Sequence, residues 1–450
     1  MAEIESIIKS AIGKGFDEAS ADISSYRSVY LKISNSAVDS IVEKQNISCD
    51  IFLVKNKRIL FLSDISDTSK KNIDKILGNG LKTIGRLRAK EDYHGLAEGP
   101  FRKVNTRYSY DREIERCDNG TLADKANAAI NSAAKNGAAD IAGMLVVSSA
   151  QIENGTSRGF YNKENWSSAR LSLRTFRKNL SFQDVVASRK LSEIDFEKAA
   201  AKGIEMMKSV KRTGKIGNGT YDVIYLPSPG GSLITNINSA ACMSNAETGS
   251  IFTGKLNKEV AHPGLRIYDD GKIDGGIGSS AYDSEGTPSQ RTTLVEDGIF
   301  KSYLHNNSTA KKYRTKSTGN AGLINPQSRS LVMEHKNTAK NIDEIIKEVK
   351  KGILITNSWY TRFSNYISGD FSTVPRDLAI LIKNGEPAYA IKQKEIGAIV
   401  GIRISENLIR MMKNIELVER NVRQCASWDT DFSYFFVPSF LVRDVTVTVV

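Results

Sequence analysis

The sequence predicts an α+β protein, with an N-terminal α/β region of antiparallel sheet and helices and a β-rich C-terminal domain that opens on a helix. Three observations predict it. Apolar residues switch repeatedly between helix-face spacing and strand alternation. In the first half these patterns are grouped as helix, meander, helix, which implies a sheet with its helices on one face. In the second half, strand patterns and turn dipeptides take over.

The elements follow in order. In "MAEIESIIKSAIGKG", Ile4, Ile7, Ile8 and Ala11 fall at helical spacing and glycines stand where the helix would stop. Residues 20 to 64 hold three or four half-buried strands, with "KNKR" (55–58) as a hairpin turn. "DTSKKNIDKILGNGLKTIGRL" is a helix whose apolar face is Ile73, Ile76, Leu77 and Leu81. Polar residues 90 to 112 read as a connector. "GTLADKANAAINSAAKNG" is a helix with Thr121 and Asp124 as a capping-box variant and Gly137 as its stop. Three strand-like runs between "IAGML" and "VVASRK" form an antiparallel meander, and "FEKAAAKGIEMMKSVK" closes the region as a helix. "KRTGKIGNGT" (211–220) is the linker candidate, so the expected domains are 1–95, 96–215 and 216–450. The last opens on strand "YDVIYLPSP" and a helix over 231–247, which carries "GSLITNINSAACMSNAE". Hairpins are expected at Asp297-Gly298 and Asn384-Gly385. "NIDEIIKEVKKGI" reads as an amphipathic helix through Ile342, Ile345, Ile346 and Val349, ending at Gly352, and the β-branched tail as strand.

Composition narrows the classes. The chain has 450 residues, 40% hydrophobic and 25% charged, which suits a soluble globular protein. No stretch approaches the ~18–20 apolar residues of a membrane span, and the N-terminal stretch is an amphipathic helix rather than a secretory signal, so a cytoplasmic location without membrane association is expected. Cys49, Cys117, Cys242 and Cys425 stand far apart with no CxxC pair, which argues for small buried hydrophobes over disulfides or a Cys-rich zinc site. The net charge of +12 is spread along the chain with short clusters, and no zinc-finger or RNP-type motif accompanies it. No nucleic-acid partner is expected.

Catalytic constellations are scarce. The four histidines, His94, His262, His305 and His335, never fall as a local pair, whereas a zincin-type site needs two imidazoles on one helix face and a carboxylate between them. His305 sits in a polar cluster with Asn306, Asn307, Ser308 and Thr309. There is no GxSxG elbow and no GxxxxGK[ST] loop. "GGIGSSAYDSEG" (275–286) lacks the glycine order of a dinucleotide loop. Asp269-Asp270-Gly271 and Asp283-Ser284-Glu285-Gly286 could offer oxygen ligands to a hard cation, but read better as turns.

The succession "RIYDDGKIDGGIGSSAYDSEGTPSQRTTLVEDGIFKSYLHNNSTAKKY", then "STGNAG", "YISGDFS" and "DLAILIKNGEPAYAI", resembles the TldD/PmbA proteins across most of 215–450. The resemblance implies a TldD/PmbA-like fold and a cytosolic metallopeptidase of two related subunits. In the TldD type, HExxxH lies on the helix opening the C-terminal domain and a cysteine near the C terminus completes the site. The PmbA (TldE) type lacks that motif. Here the HExxxH positions fall near Leu233 to Asn238, reading Leu233-Ile234-Thr235-Asn236-Ile237-Asn238, and Cys425 lies close to the third ligand's place.

The resemblance therefore implies a degenerate copy of a catalytic helix. No cofactor is expected in this chain, and zinc is expected in an HExxxH-bearing TldD-type partner, as a heterodimer or larger assembly. This subunit would shape a cavity for small or unfolded peptides. Asn236, Asn238, Ser244, His305 and Asn307 are the candidates for lining it or touching peptide, since amides and hydroxyls meet peptide N–H and C=O alike. Two alternatives stay open. One is an autonomous hydrolase with a metal site drawn from Cys425, His305 and the Asp269/Asp270 or Asp283/Glu285 turns. The other is a homodimeric peptide-binding protein.

Overall fold

The computed structural model describes residues 2–104, 110–393, 400–427 and 434–450. The 105–109 part of the expected connector and Ser433, at the start of the expected tail strand, lie outside these. The N-terminal half is one arrangement made twice. Helix α1 (Ala2–Gly13), strands β1 (Glu18–Ser34), β2 (Ala37–Lys55) and β3 (Arg58–Ile65), and helix α2 (Lys70–Ile84) form the first unit. After the short α3 (Arg112–Arg116), the second unit runs α4 (Asn119–Lys135), β4 (Asp140–Thr156), β5 (Tyr161–Arg177), β6 (Leu180–Ser188) and α5 (Phe196–Lys208).

The two units share one sheet, ordered β3-β2-β1-β4-β5-β6. β1 and β4 pair antiparallel from Ser20↔Thr156 to Ile33↔Gly143, so the expected boundary at 95/96 falls between halves of a single sheet. Each three-stranded meander would otherwise leave an open edge at its first strand, and the other unit's first strand covers it. All four long helices pack on one face. Ile4, Ile7, Ile8, Ile73 and Leu77 cover Ala19, Ala21 and Ile23, while Leu122, Ala126, Ala129 and Ala200 cover Val29, Leu31, Leu145 and Leu171. The β2–β3 turn has Asn56 and Lys57 at φ 48° and 58°, as a two-residue hairpin turn of this hand requires. The cap of α4 differs from the sequence reading. Asp118 is the N-cap and accepts from the Thr121 N–H, one turn earlier than a Thr121–Asp124 box.

The C-terminal half begins with β7 (Thr213–Gly214), a short strand inside the expected linker, then β8 (Gly219–Tyr225), α6 (Pro227–Ala241) and α7 (Met243–Thr248). Next come β9 (Leu265–Asp270), β10 (Arg291–Glu296), β11 (Ile299–Phe300), α8 (Asn307–Lys312), β12 (Leu331–His335), β13 (Thr338–Ala339) and α9 (Ile342–Lys347). The remainder is β14 (Lys351–Asn365), β15 (Asp370–Lys383), β16 (Glu386–Ile391), β17 (Ile402–Asn407), α10 (Leu408–Lys413), β18 (Ile415–Glu419), β19 (Gln424–Ala426), β20 (Tyr434–Phe436) and β21 (Phe440–Val449). One sheet is ordered β11-β10-β9-β12-β20-β19. In the other, β21, β8, β14, β15 and β17 close on themselves, because β17 pairs with both β15 and β21. Leu233, Ile234 and Ile237 of α6 join Val223, Ile353, Ile267 and Phe435 in the core shared by these two sheets.

Three sequence readings change here. The expected 231–247 helix starts earlier, at Pro227, and breaks at Cys242, whose extended backbone (ψ 127°) bridges to Leu304. The Ile342 helix ends at Lys347, and Gly352 lies in β14 opposite Asp222, because the strand takes over the chain. Asp269 and Asp270 close strand β9 and are buried, so they are not a turn. The expected hairpins form, with Asp297-Gly298 and Asn384-Gly385 all at positive φ.

Candidate functional site

Helix α6 begins with prolines, whose missing N–H groups are unneeded in a first turn. Its glycines then permit close approach. A Cβ on Gly230 would lie 2.4 Å from the Phe440 ring, and one on Gly231 would lie 1.9 Å from the Phe435 ring. The helix is thereby pressed between β21 and β20, with the Ser232 and Ser427 hydroxyls 3.0 Å apart.

This seating decides which side chains reach the cleft. Leu233 and Ile234, at the expected first imidazole and carboxylate positions, are fully buried in the core. Thr235, Asn236, Asn238 and Ser239 instead line a cleft of about 300 Å³, faced by Ser328 and Tyr434. Asn236 donates its Nδ2 to the Ser232 and Leu233 carbonyls at 3.1 and 3.0 Å. Asn238 is 3% exposed and donates Nδ2 to Asp269 Oδ1 at 3.0 Å.

Asp269 is a hub that sequence reading missed as such. Its Oδ1 also accepts from the Arg329 N–H at 2.8 Å, and its Oδ2 accepts from Asn320 Nδ2 at 2.7 Å. Burial pushes its carboxyl up to about 6, against the pull of these donors. Asp283 and Glu285 are committed too. Asp283 accepts from the Glu285, Thr287 and Ala321 N–H groups at 3.0, 2.9 and 3.0 Å. Glu285 accepts from the Asn307 N–H at 3.0 Å, and both carboxyls are raised, chiefly by burial.

The other candidates scatter. Ser244 is half-buried on α7. His305 is buried, its Nδ1 3.2 Å from the Thr309 hydroxyl, and burial depresses its pKa to about 4. Asn307 opens α8 and donates Nδ2 to the Gly95 carbonyl at 2.8 Å, so it ties the two halves of the chain together. Cys425 is fully buried in β19 beside Arg423, and burial raises its thiol. The Gly-rich 275–279 stretch surrounds a buried side chain, since Arg189 donates to the carbonyls of Gly276, Ile277 and Ser279.

One pair escaped the sequence because its members are 73 residues apart. His335 Nε2 and His262 Nδ1 lie 3.0 Å from each other. The Asn337 N–H donates to His335 Nδ1, which also lies 3.2 Å from the Asn337 carbonyl, and the Gly264 N–H donates to His262 Nδ1.

A zinc ion of the kind the resemblance implies does not fit these residues. The three positions supply two core aliphatics and one amide already committed to Asp269. Among the described residues, no group of three or more His, Cys, Asp or Glu side chains is placed to hold a metal. Cys425, His305 and the acidic segments therefore do not converge on an ion.

This overall fold is shared with solved structures. TldE from Thermococcus kodakarensis superposes with TM-score 0.83 at 20% identity, covering 99% of this chain and 100% of that one. A Thermotoga maritima protein described as a candidate modulator of a DNA gyrase gives TM-score 0.83 at 21% identity, covering 99% of each chain. Residues 218–449 match the PmbA/TldA metallopeptidase C-terminal domain, and the chain belongs to that family. A metalloprotease of Methanocaldococcus jannaschii is 31% identical over 183 residues, 39% of each chain. A metalloprotease TldD homolog of Buchnera aphidicola is 36% identical over 156 residues, 33% of this chain and 31% of that one. The matched segments thus span about two-fifths or less of these two relatives. No helix among the described residues is long and apolar enough to cross a membrane.

Proposed function

We propose that this chain is the metal-free subunit of a cytoplasmic two-subunit metallopeptidase. It pairs with an HExxxH-bearing TldD-type relative, which supplies the zinc, and it shapes the cavity that admits small or unfolded peptides. The observation that carries this reading is the cleft face of α6, where Thr235, Asn236, Asn238 and Ser239 stand on the helix that resembles the catalytic one. Asn236 spends its Nδ2 on helix carbonyls, which leaves its Oδ1 as an acceptor for a peptide N–H. The Thr235 hydroxyl donates to the Ser232 carbonyl at 3.2 Å and keeps lone pairs to accept from a peptide N–H, while the Ser239 hydroxyl, which accepts from Asn245 Nδ2 at 3.2 Å, can donate to a peptide carbonyl. None of the four is a base that could activate water.

Co-expression with an HExxxH-bearing relative tests this. The expected result is copurification in equal amounts and hydrolysis of an unstructured peptide library by the pair, with none by this chain alone. Turnover by this chain after rigorous removal of any relative would defeat the proposal.

A further inference from the structure

The β14–β15 hairpin, paired with β17 as far as Asp370↔Asn407, turns through Tyr366 and Ile367. These are 68% and 62% exposed, more than any other large hydrophobic among the described residues. Single exposed apolar residues are ordinary. Two adjacent ones at a braced tip are a different object. The Phe363 ring stacks under Tyr366, with centroids 5.3 Å apart and planes within 19°. Asn365 Oδ1 accepts from the N–H groups of Ile367 and Ser368 at 2.8 and 3.1 Å. Asn407 Nδ2 holds the far side through the Ser368 carbonyl at 2.7 Å and Asp370 at 2.8 Å. The loop is therefore set before anything binds, so little ordering entropy remains to oppose docking.

We propose that this tip is the element by which the HExxxH-bearing subunit grips this chain, inserting Tyr366 and Ile367 into an apolar socket of the partner. The proposal rests on the two-subunit reading above and adds the contact surface. Two observations choose the occupant. Residues 363–370 contain no lysine or arginine, and hydrogen bonds from Asn407 and Ser368 hold Asp370 below the usual carboxylate range. With Asp370 at the turn and the single Arg362 one rung back, opposite Ser372, the hairpin end has no cluster of cations for an anionic membrane surface, whereas an aromatic–aliphatic knob is the kind of anchor that protein interfaces bury. The tip is also rooted beside the candidate site. Ile367 lies against Gly249, just past α7, and Gly369 against Ile251. A partner seated there stands next to the α6–α7 segment.

The test compares wild type with Y366S/I367S, both as full chains, for pairing with an HExxxH-bearing relative by sedimentation and titration. Matching melting temperatures establish that the variant is folded. A photoreactive phenylalanine analogue in place of Tyr366 gives an independent readout through crosslinking. The expected result is pairing weakened at least about 100-fold, as loss of two anchor residues implies, with the crosslink falling on the relative. Unchanged pairing of the variant overturns this inference and leaves the two-subunit reading intact. Absence of wild-type pairing overturns both. If the variant instead abolishes self-association of this chain, or binding to phosphatidylserine vesicles, the occupant is a second copy or a membrane, and the proposal fails.

Discussion

Replacing Gly231 by alanine sets two effects of known sign against each other. Glycine within a helix is about 1 kcal/mol worse than alanine, so propensity alone predicts stabilisation. The structure predicts the reverse. The new Cβ would sit 1.9 Å from the Phe435 ring, where carbon–carbon contacts are optimal at about 3.5–4.0 Å. Phe435 is fully buried, so either the ring or the helix must move by more than an ångström within a packed core. Overpacking of that size costs about 1–3 kcal/mol and occasionally more. With so severe an overlap the upper end applies, and the net loss is about 2 kcal/mol. For a unit of this size that lowers the melting temperature by about 4–8 °C. Gly78→Ala is the control. It lies inside α2 with nothing within 4 Å of its added Cβ, and it should gain about 0.5–1 kcal/mol. Thermal and urea unfolding of both variants against wild type is the assay. A Gly231→Ala protein as stable as wild type would refute the claim that α6 is seated by glycine contact on β20.

Three further outcomes follow from the same geometry. His305 has its pKa depressed to about 4 by burial. The unfolded chain takes up a proton below about 6.5 that the folded one refuses, so stability falls between pH 6.5 and 4. At pH 5 the loss attributable to this group is about 2 kcal/mol. Buried Asp269, raised to about 6, acts in the opposite sense, so the check is the difference in urea midpoints between wild type and His305→Gln from pH 7.5 to 5, which should close at the acid end. Asn238→Ala removes one donor to Asp269 and should cost about 1–3 kcal/mol. Denaturation at two pH values should show that loss larger at pH 7.5 than at pH 5, where Asp269 is protonated in the folded state. Finally, L233H/I234E/N238H buries three polar groups in the core and should lose several kcal/mol without gaining zinc.

Local chemistry made much of the fold legible. Asp297-Gly298 and Asn384-Gly385 fixed two hairpins because few other residue pairs accept both central positive φ values. Ile4, Ile7, Ile8 and Ala11 marked α1 because an amphipathic stripe needs no tertiary information. What escaped depends on contacts distant in sequence. The pairing of β1 with β4 joins strands about 120 residues apart, so the first two stretches looked like separate units. Cys242 breaks the α6–α7 run by bridging to Leu304, a partner no local pattern names. The expected helix over 231–247 overlaps α6 but starts four residues late, and its rotation was not legible. Only the packing of Gly230 and Gly231 on Phe440 and Phe435 turns Thr235 and Asn236 toward the cleft and Leu233 into the core. Asp269 looked like a turn residue because a buried carboxylate with three donors cannot be told in sequence from an exposed one.

Metal stoichiometry tests the central claim most directly. The extensively dialysed chain, purified alone and then with an HExxxH-bearing relative, is analysed for transition metals. The account predicts no zinc above trace on this chain alone and one zinc per pair once the relative is present. One tightly held zinc on the solitary chain would contradict it.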